Sequence, residues 1–421
     1  MGGPHRRRTA CNDVRVQTKL VTLADVEAAR EVVGDVIRRT PLEPCRPLQA
    51  KLGGPAWLKC ENLQRAGAYK VRGALVRISR LTPDERARGV VAASAGNHAQ
   101  GVAVAAGICH TEATVFMPIG APLPKVAATK SYGAKVRLVG ATVDEALVAA
   151  AEFAERTGAV FIHPFDHPDV IAGQGTVGLE ILEQCPDVKT ILAGIGGGGL
   201  ISGIAVAVKA LRPDVRVIGV QAAGAAAMHL SIAAGHPVRL DTFATVADGI
   251  AVGRPGDLTF EHVSALVDDV VTVTEEDISR ALLMLLERCK LVVEPAGAVG
   301  VAALLAGAIE VEPPVVAVLS GGNIDPLLMV KLIEHGLSVA GRYQRFTVHC
   351  EDRPGSLAAL LSLIAEHGAN IVDVSHQRHD PRLALGFVEV AMSVETRGAE
   401  HADRLITALR DAGYPVTVGA R

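Results

Sequence analysis

A succession of short apolar runs, several closing in glycine-rich turns, constrains this chain more than any other feature. They are "GVVAASAG" from Gly89, "ATVFMP" from Ala113, "AKVRLVG" from Ala134, "AVFIHPF" from Ala159, "TILAGIGGGG" from Thr190, "VRVIGVQAA" from Val215 and "PVVAVLSGGN" from Pro314. Most are continuously apolar rather than alternating, as strands buried on both faces must be. Such strands are parallel, and parallel strands need long crossovers, usually helical. Ala-rich helical stretches supply them, among them "VDEALVAAAEFAERTG" from Val143. The expectation is an α/β architecture of βαβ units with open, mostly parallel sheets, and ligands bound where the strands end.

After about Gly341 the pattern changes. A strand "RFTVHCE" leads into a helix whose Leu357, Leu360, Leu361 and Ile364 share one face. Ser356 is the expected N-cap and Gly368 the expected residue past the C-terminus. "FVEVAMSVET" then alternates, with Val388, Val390, Met392 and Val394 on one face and Glu389, Ser393 and Glu395 on the other. A second helix and a last strand complete a βαββαβ order, an α+β domain of ferredoxin-like type.

Composition removes several classes of function. A net charge of -3 lacks the basic excess of a nucleic-acid or anionic-membrane binder. No uninterrupted apolar run reaches the length of a membrane span. Residues 1–20 are basic with no apolar segment behind them, so they read as a disordered lead-in rather than a secretory signal. The seven cysteines are scattered without a C-x-x-C pair, against a disulfide scaffold or structural zinc and in favour of a reducing cytoplasm. His110, His163 and His167 lack metal-ligand spacing and read as ordinary polar residues; no metal site is expected.

Chemistry concentrates at three strand ends and one lysine. "GIGGGGLISG", Gly194 to Gly203, follows a strand and opens a helix. Gly196, Gly197, Gly198 and Gly199 with Leu200 let backbone N–H groups converge at a helix N-terminus, a phosphate cradle without the lysine of a P-loop. "SAGNHAQG" places Ser94, Ala95, Gly96, Asn97 and His98 at another helix start, suited to a carboxylate or a ring hydroxyl, or simply to capping. "LSGGN" puts Ser320 at a third strand end, where it serves a ligand or an ordinary turn. Lys70 lies in "ENLQRAGAYKVRGA". A lysine beside a phosphate cradle suits a phosphorylated aldehyde, pyridoxal phosphate, which joins lysine as a Schiff base.

Over roughly residues 20–335 the motifs occur in the order "TPLEP", "KCENLQRAGAYKVRGA", "SAGNHAQG", "IAGQGTVGLEI", "GIGGGGLISG", "DGIAV", "EPAGAV" and "LSGGN". This set resembles the threonine dehydratase family of type II, tryptophan-synthase-β-like pyridoxal-phosphate enzymes. The C-terminal module, with "EDRPGSL" and "GANI", resembles an ACT domain. The resemblance implies a catalytic region over 21–335 with a smaller subdomain about 65–160 inserted in a larger one. A linker at 336–343 and an ACT regulatory domain at 344–421 follow. It assigns Lys70 as the Schiff-base lysine and catalytic base, and Gly196 to Gly199 with Leu200 as the phosphate cradle. Asn97 falls to the ring hydroxyl, Ser94 to His98 to the substrate carboxylate, and Ser320 to the pyridine nitrogen. Tyr69 stands where the family usually has Phe, and Ala68 where it often has Ser, which bears on how the cofactor face packs.

The implied reaction is deamination of L-threonine to 2-oxobutanoate and ammonia, and of L-serine to pyruvate. A branched-chain effector, isoleucine or valine, is expected near Asp352, Arg353, Pro354, Gly355, Asn370 and Ile371, in a homo-oligomer, dimer or tetramer. Serine racemase or another β-eliminase on the same scaffold is the nearest alternative. Ala95, however, holds a position typically serine in those racemases, and Gly219 to Leu230 lacks the acidic residues of their divalent-ion site. An inactive amino-acid sensor would have lost the lysine or the glycine run; both are present.

Overall fold

The computed structural model describes residues 20–378 and 383–418, so all but the last residue of the expected lead-in, Cys11 included, lies outside the described residues. The larger sheet has six strands in the order Leu42–Pro44, Ala56–Lys59, Val315–Val318, Thr190–Gly194, Arg216–Ala222 and Asp269–Val273. Only the first pair is antiparallel. A second sheet, entirely parallel, orders Lys135–Leu138, Ala113–Met117, Val90–Ala93 and Val160–Phe161. Every residue of Val90–Ala93, Ala113–Met117, Thr190–Gly194 and Val315–Val318 is buried, which accounts for their unbroken apolar character. Three strands of the larger sheet escape the hydrophobic pattern. Leu42–Pro44 is a three-residue edge strand ending in proline, Ala56–Lys59 is short, and Asp269–Val273 is a half-buried opposite edge.

Three helices position the strand ends, and they cross on glycine. They are Lys70–Ser79, Pro168–Gln184 and Gly199–Leu211. A Cβ on Gly173 would stand 2.6 Å from the Cα of Gly73, and one on Gly203 would stand 2.3 Å from the Ile171 carbonyl oxygen and 2.5 Å from the Gly175 nitrogen. Backbone therefore meets backbone at both crossings. The middle helix ties the helix that begins at Lys70 to the one that begins in the glycine run.

A buried ion cluster reinforces the first crossing. The Arg72 side chain is wholly enclosed. Its Nε and Nη2 donate to the two oxygens of Glu61 at 2.8 and 2.7 Å, and its Nη1 to Glu180 at 2.6 Å and Thr176 at 3.1 Å. Lys59 Nζ donates to the other oxygen of Glu180, to Gln184 Oε1 at 2.9 Å and to the Thr40 carbonyl at 2.9 Å. Burial alone would raise the Glu61 carboxyl, but the Arg72 charge and hydrogen bonds hold it below the usual carboxylate range.

The C-terminal domain forms its own sheet, ordered Asn370–Gln377, Phe387–Glu395, Tyr343–Glu351 and Val416–Val418, all antiparallel. With helices Ser356–Glu366 and Ala399–Asp411 this is the expected βαββαβ order. Val388, Val390, Met392 and Val394 are buried as anticipated. Two details differ. Gly355, in the left-handed region at φ 92°, is the N-cap, and Ser356 is already helical. The segment 336–343, read as a linker, is helical as far as Val339, because the helix Pro326–Val339 buries Leu332 and Gly336.

Removing one partner from a buried ion cluster leaves uncompensated charge, whereas an exposed pair contributes little. Arg72→Met should therefore lower unfolding stability by about 3–5 kcal/mol. Arg30→Met, which breaks an exposed pair with Glu183, should cost under about 1 kcal/mol. Urea unfolding of the two variants beside the parent checks the contrast.

Candidate active site

Lys70 is the first residue of its helix, and Gly101 admits it to the neighbouring helix Asn97–Ile108. A Cβ at Gly101 would lie 3.0 Å from the Lys70 carbonyl carbon and 3.2 Å from its Cβ. The ammonium group donates to the Pro164 carbonyl at 2.8 Å and stands 5.2 Å from the centre of the Tyr69 ring. Burial pulls Lys70 down to about 8, against the opposing pull of the Glu294 carboxylate. The backbone of Tyr69 donates to the Ser320 carbonyl at 3.1 Å, and Ala68 bridges Gly321, so the lysine and the "LSGGN" turn are stitched together.

The glycine run lies at the end of the strand Thr190–Gly194 and opens the helix Gly199–Leu211. Gly198 is the N-cap at φ 101° and supplies no side chain to the helix N-terminus. Gly197 and Gly199 face Phe165; a Cβ on Gly197 would fall 2.3 Å from that ring. Gly196 packs on Ile250. Thr259 holds the turn by donating its hydroxyl to the Gly197 carbonyl. Leu200 is buried beneath the turn. A helix N-terminus left without a side-chain cap, on glycines whose Cβ space is taken, fits a phosphate group. The half-buried lysine, on the Pro164 carbonyl next to Phe165, fits an aldehyde. The residues present thus match pyridoxal phosphate.

The "SAGNH" loop completes the cluster. Gly96 caps the helix, and its N–H meets Ser94 Oγ at 3.2 Å, with Ala95 between. Asn97 uses both ends of its amide: Nδ2 donates to Glu294, and Oδ1 accepts from Asn323 Nδ2 at 2.8 Å. His98 is turned away, its Nε2 2.8 Å from the Ile162 carbonyl, and burial drives its ring down to about 3. Only its backbone remains for the loop. Ser320 is buried, with Oγ 3.5 Å from the Ala296 carbonyl. Lys70, Asn97 and Ser320 are therefore joined through Tyr69, Glu294 and Asn323, while Phe165 meets the glycine run.

Several of these partners carry no clear sequence signal. "AVFIHPF" reads as a strand, yet only Val160–Phe161 is one. His163 folds the rest into a turn, its Nδ1 accepting from the Asp166 N–H at 2.7 Å, so that Pro164 reaches the lysine and Phe165 the glycines. Asp166 accepts from the Thr259 N–H at 3.0 Å. The proline within an otherwise β-like run was the available hint.

The six candidates in the C-terminal domain do not form one site within a chain. Asp352, Arg353, Pro354 and Gly355 make the turn after Tyr343–Glu351, where the Asp352 N–H meets the Gly386 carbonyl at 2.8 Å. Asn370 and Ile371 pair with Glu395 and Val394 at the other end of the strand Phe387–Glu395. The nine residues of that strand separate the two groups, roughly 27 Å of extended chain. The helix Ser356–Glu366 runs the length of the sheet between them.

Residues 33–321 match the family model described as pyridoxal-phosphate dependent enzyme, and residues 345–413 match the ACT domain. An L-threonine ammonia-lyase of Thermotoga maritima is 47% identical over 400 residues, covering 95% of this chain and 100% of the relative. The processed form of threonine deaminase isoform 2 from Solanum lycopersicum superposes with a TM-score of 0.71 at 39% identity, over 74% of this chain and 92% of that one. Maize serine racemase does so with a TM-score of 0.72 at 36% identity, over 76% and 99%. The chain belongs to the family of pyridoxal-phosphate dependent enzymes that includes the L-threonine ammonia-lyases, and it carries a C-terminal ACT domain.

Proposed function

We propose that this chain is an L-threonine ammonia-lyase, converting L-threonine to 2-oxobutanoate and ammonia and, by the same route, L-serine to pyruvate. The observation that carries the reading is Lys70, half-buried at a helix start with its Nζ on the Pro164 carbonyl, one residue from the ring that closes the glycine run. Relatives of that name align over nearly the whole chain. Bound pyridoxal phosphate supplies an electron sink for charge developing at the substrate α-carbon.

The chain's own residues do the rest. Backbone N–H groups of Gly196 to Gly199 and Leu200 would receive the phosphate. Asn97 would address the ring hydroxyl, and Ser320 the pyridine nitrogen. The Ser320 hydroxyl would hydrogen-bond that nitrogen without placing a negative charge beside it. The backbone of the loop from Ser94 to His98 takes the substrate carboxylate. Once freed, Lys70 takes the α-proton through Nζ. With its pKa lowered to about 8, the neutral amine predominates above that pH and becomes scarce below it.

The ACT domain belongs to the same proposal as a regulatory module for isoleucine or valine. The turn at Asp352 and the strand start at Asn370 lie at opposite ends of one sheet, so an effector touching both requires two copies of the domain. This supports a homo-oligomer, a dimer or tetramer. Among the described residues no helix is long and apolar enough to cross a membrane, and Cys45, Cys60, Cys109, Cys185, Cys289 and Cys350 carry free thiols. A reducing cytoplasm suits both.

The racemase relationship gives a second reading on the same scaffold, and Ala95 weighs against it. Racemisation needs a proton donor on the face opposite Lys70, and a methyl group has none. Lys70→Ala should abolish 2-oxo acid formation from L-threonine and L-serine and prevent borohydride from fixing the cofactor to the protein, as absorbance and intact mass will show. No 2-oxo acid from the parent enzyme, with cofactor bound, would overturn the lyase reading. Ala95→Ser should raise D-serine formation from L-serine by about 10-fold or more, measured by chiral chromatography.

A further inference from the structure

Glu294 is a buried carboxylate with no place in the reaction derived above. It is the N-cap of the helix Pro295–Ala306, at the end of a segment that passes beneath the "LSGGN" turn, and its N–H meets the Gly321 carbonyl at 3.0 Å. Only 3% of its surface is exposed, yet it borders a 310 Å³ cleft that Lys125, Asp248 and Asn323 also line. Its Oε1 accepts from the Nδ2 of Asn97. The meeting takes place over Gly321, where a Cβ would stand 2.2 Å from Glu294 Oε1 and 3.0 Å from Asn97 Nδ2. The other end of the Asn97 amide is held by Asn323, which is itself anchored on the Ala66 carbonyl at 2.7 Å.

The amide of Asn97 is thereby fixed in one sense. Its oxygen faces Asn323, one N–H faces Glu294, and one N–H is left to donate. A flipped amide would set oxygen against the carboxylate and N–H against N–H, losing both bonds. We propose that Glu294 is a positioning residue, whose carboxylate orients Asn97 so that its remaining N–H serves the ring oxygen of the cofactor. The inference rests on the pyridoxal-phosphate reading of the site.

The charge of Glu294 is as consequential as its shape. Burial pushes its carboxyl up to about 7, with Asp248 raising it further and the Asn97 hydrogen bond, Lys125 and Lys70 opposing. These groups face it from separate elements: Asp248 from the turn Asp248–Ile250, Lys125 from the helix Leu123–Ser131, Lys70 and Asn97 from their helix starts. The neighbouring Tyr69 phenol is held protonated by burial and by the Glu294 charge. Asp248 is in turn paired with Lys125. The carboxyl is mostly protonated below pH 7 and ionised above it, so the charge beside Asn97 changes across neutral pH.

The test uses the full-length holoenzyme and its variants Glu294→Gln and Glu294→Ala. The visible absorbance of bound cofactor is followed from pH 6 to 8, alongside kcat and KM for L-threonine. The parent band should titrate near pH 7. Glu294→Gln, whose amide oxygen still accepts from Asn97, should keep the band position but lose that titration. Glu294→Ala should shift the band and lower kcat about 10-fold or more with KM changed far less, since misorientation acts on the reacting geometry. A Glu294→Ala enzyme with the parent's spectrum and kcat would overturn the proposal. If that variant does not fold, a Glu294→Gln enzyme that titrates as the parent does would overturn it instead. Failure of the parent to bind cofactor would overturn the cofactor reading as well, a result distinct from either.

Discussion

The enclosed guanidinium of Arg72 is the interaction on which the arrangement of the catalytic region depends. It lies two residues beyond Lys70, and its bonds run to Glu61 in the segment after the strand Ala56–Lys59 and to Glu180 near the end of the helix Pro168–Gln184. Lys59 closes the network from the strand itself. Four charges of balanced sign, all with hydrogen-bond partners, are tolerated in a core where any one alone would be costly. Because the planar fork of arginine demands both carboxylates at set angles, the first turn of the lysine helix has little freedom to rotate. The orientation of Lys70 toward the Pro164 carbonyl follows from that restraint.

Around this anchor the site is assembled from strand ends belonging to two sheets. The larger sheet delivers the glycine run and the Ser320 turn; the smaller delivers the Asn97 loop. The segment from His163 to Asp166 passes between them, touching the lysine with Pro164, the cradle with Phe165 and the Thr259 N–H with Asp166. These groups therefore lie where the ends of the two sheets meet, in surroundings dry enough to lower the lysine and raise the Glu294 carboxyl. Both shifts have the same cause, burial, and each moves its group toward the neutral form.

Much of this was legible from the chain alone, for physical reasons that can be named. Continuous apolar strands report burial on both faces, and the glycine run reports backbone approach, so the α/β class and the cradle stand out. The alternation of Val388, Val390, Met392 and Val394 reports one covered face, and the C-terminal domain follows it. What pattern does not carry is pairing at long range. Glu61, Arg72 and Glu180 are unremarkable charges in sequence, and nothing local says that they neutralise one another out of water. Glu294 with Asn97, 197 positions apart, is invisible for the same reason. The split of the ACT candidates has another origin: Arg353 and Asn370 flank one helix, but that helix spans the sheet and carries them to opposite ends.

The glycine crossings have a consequence for how such an enzyme can vary. Where helices are spaced by side chains, a change from valine to isoleucine alters the gap, and the error accumulates along a stack of layers. Here the spacing between the lysine helix, its neighbour and the cradle helix is set by main chain against main chain at Gly73, Gly173, Gly175 and Gly203. The aliphatic core elsewhere can drift in composition without carrying the lysine away from the glycine run. Substitution is thus absorbed by most of the interior and refused at four positions where helices cross. Those positions act as a built-in gauge, and their cost falls on the mutational freedom of the chain rather than on its chemistry.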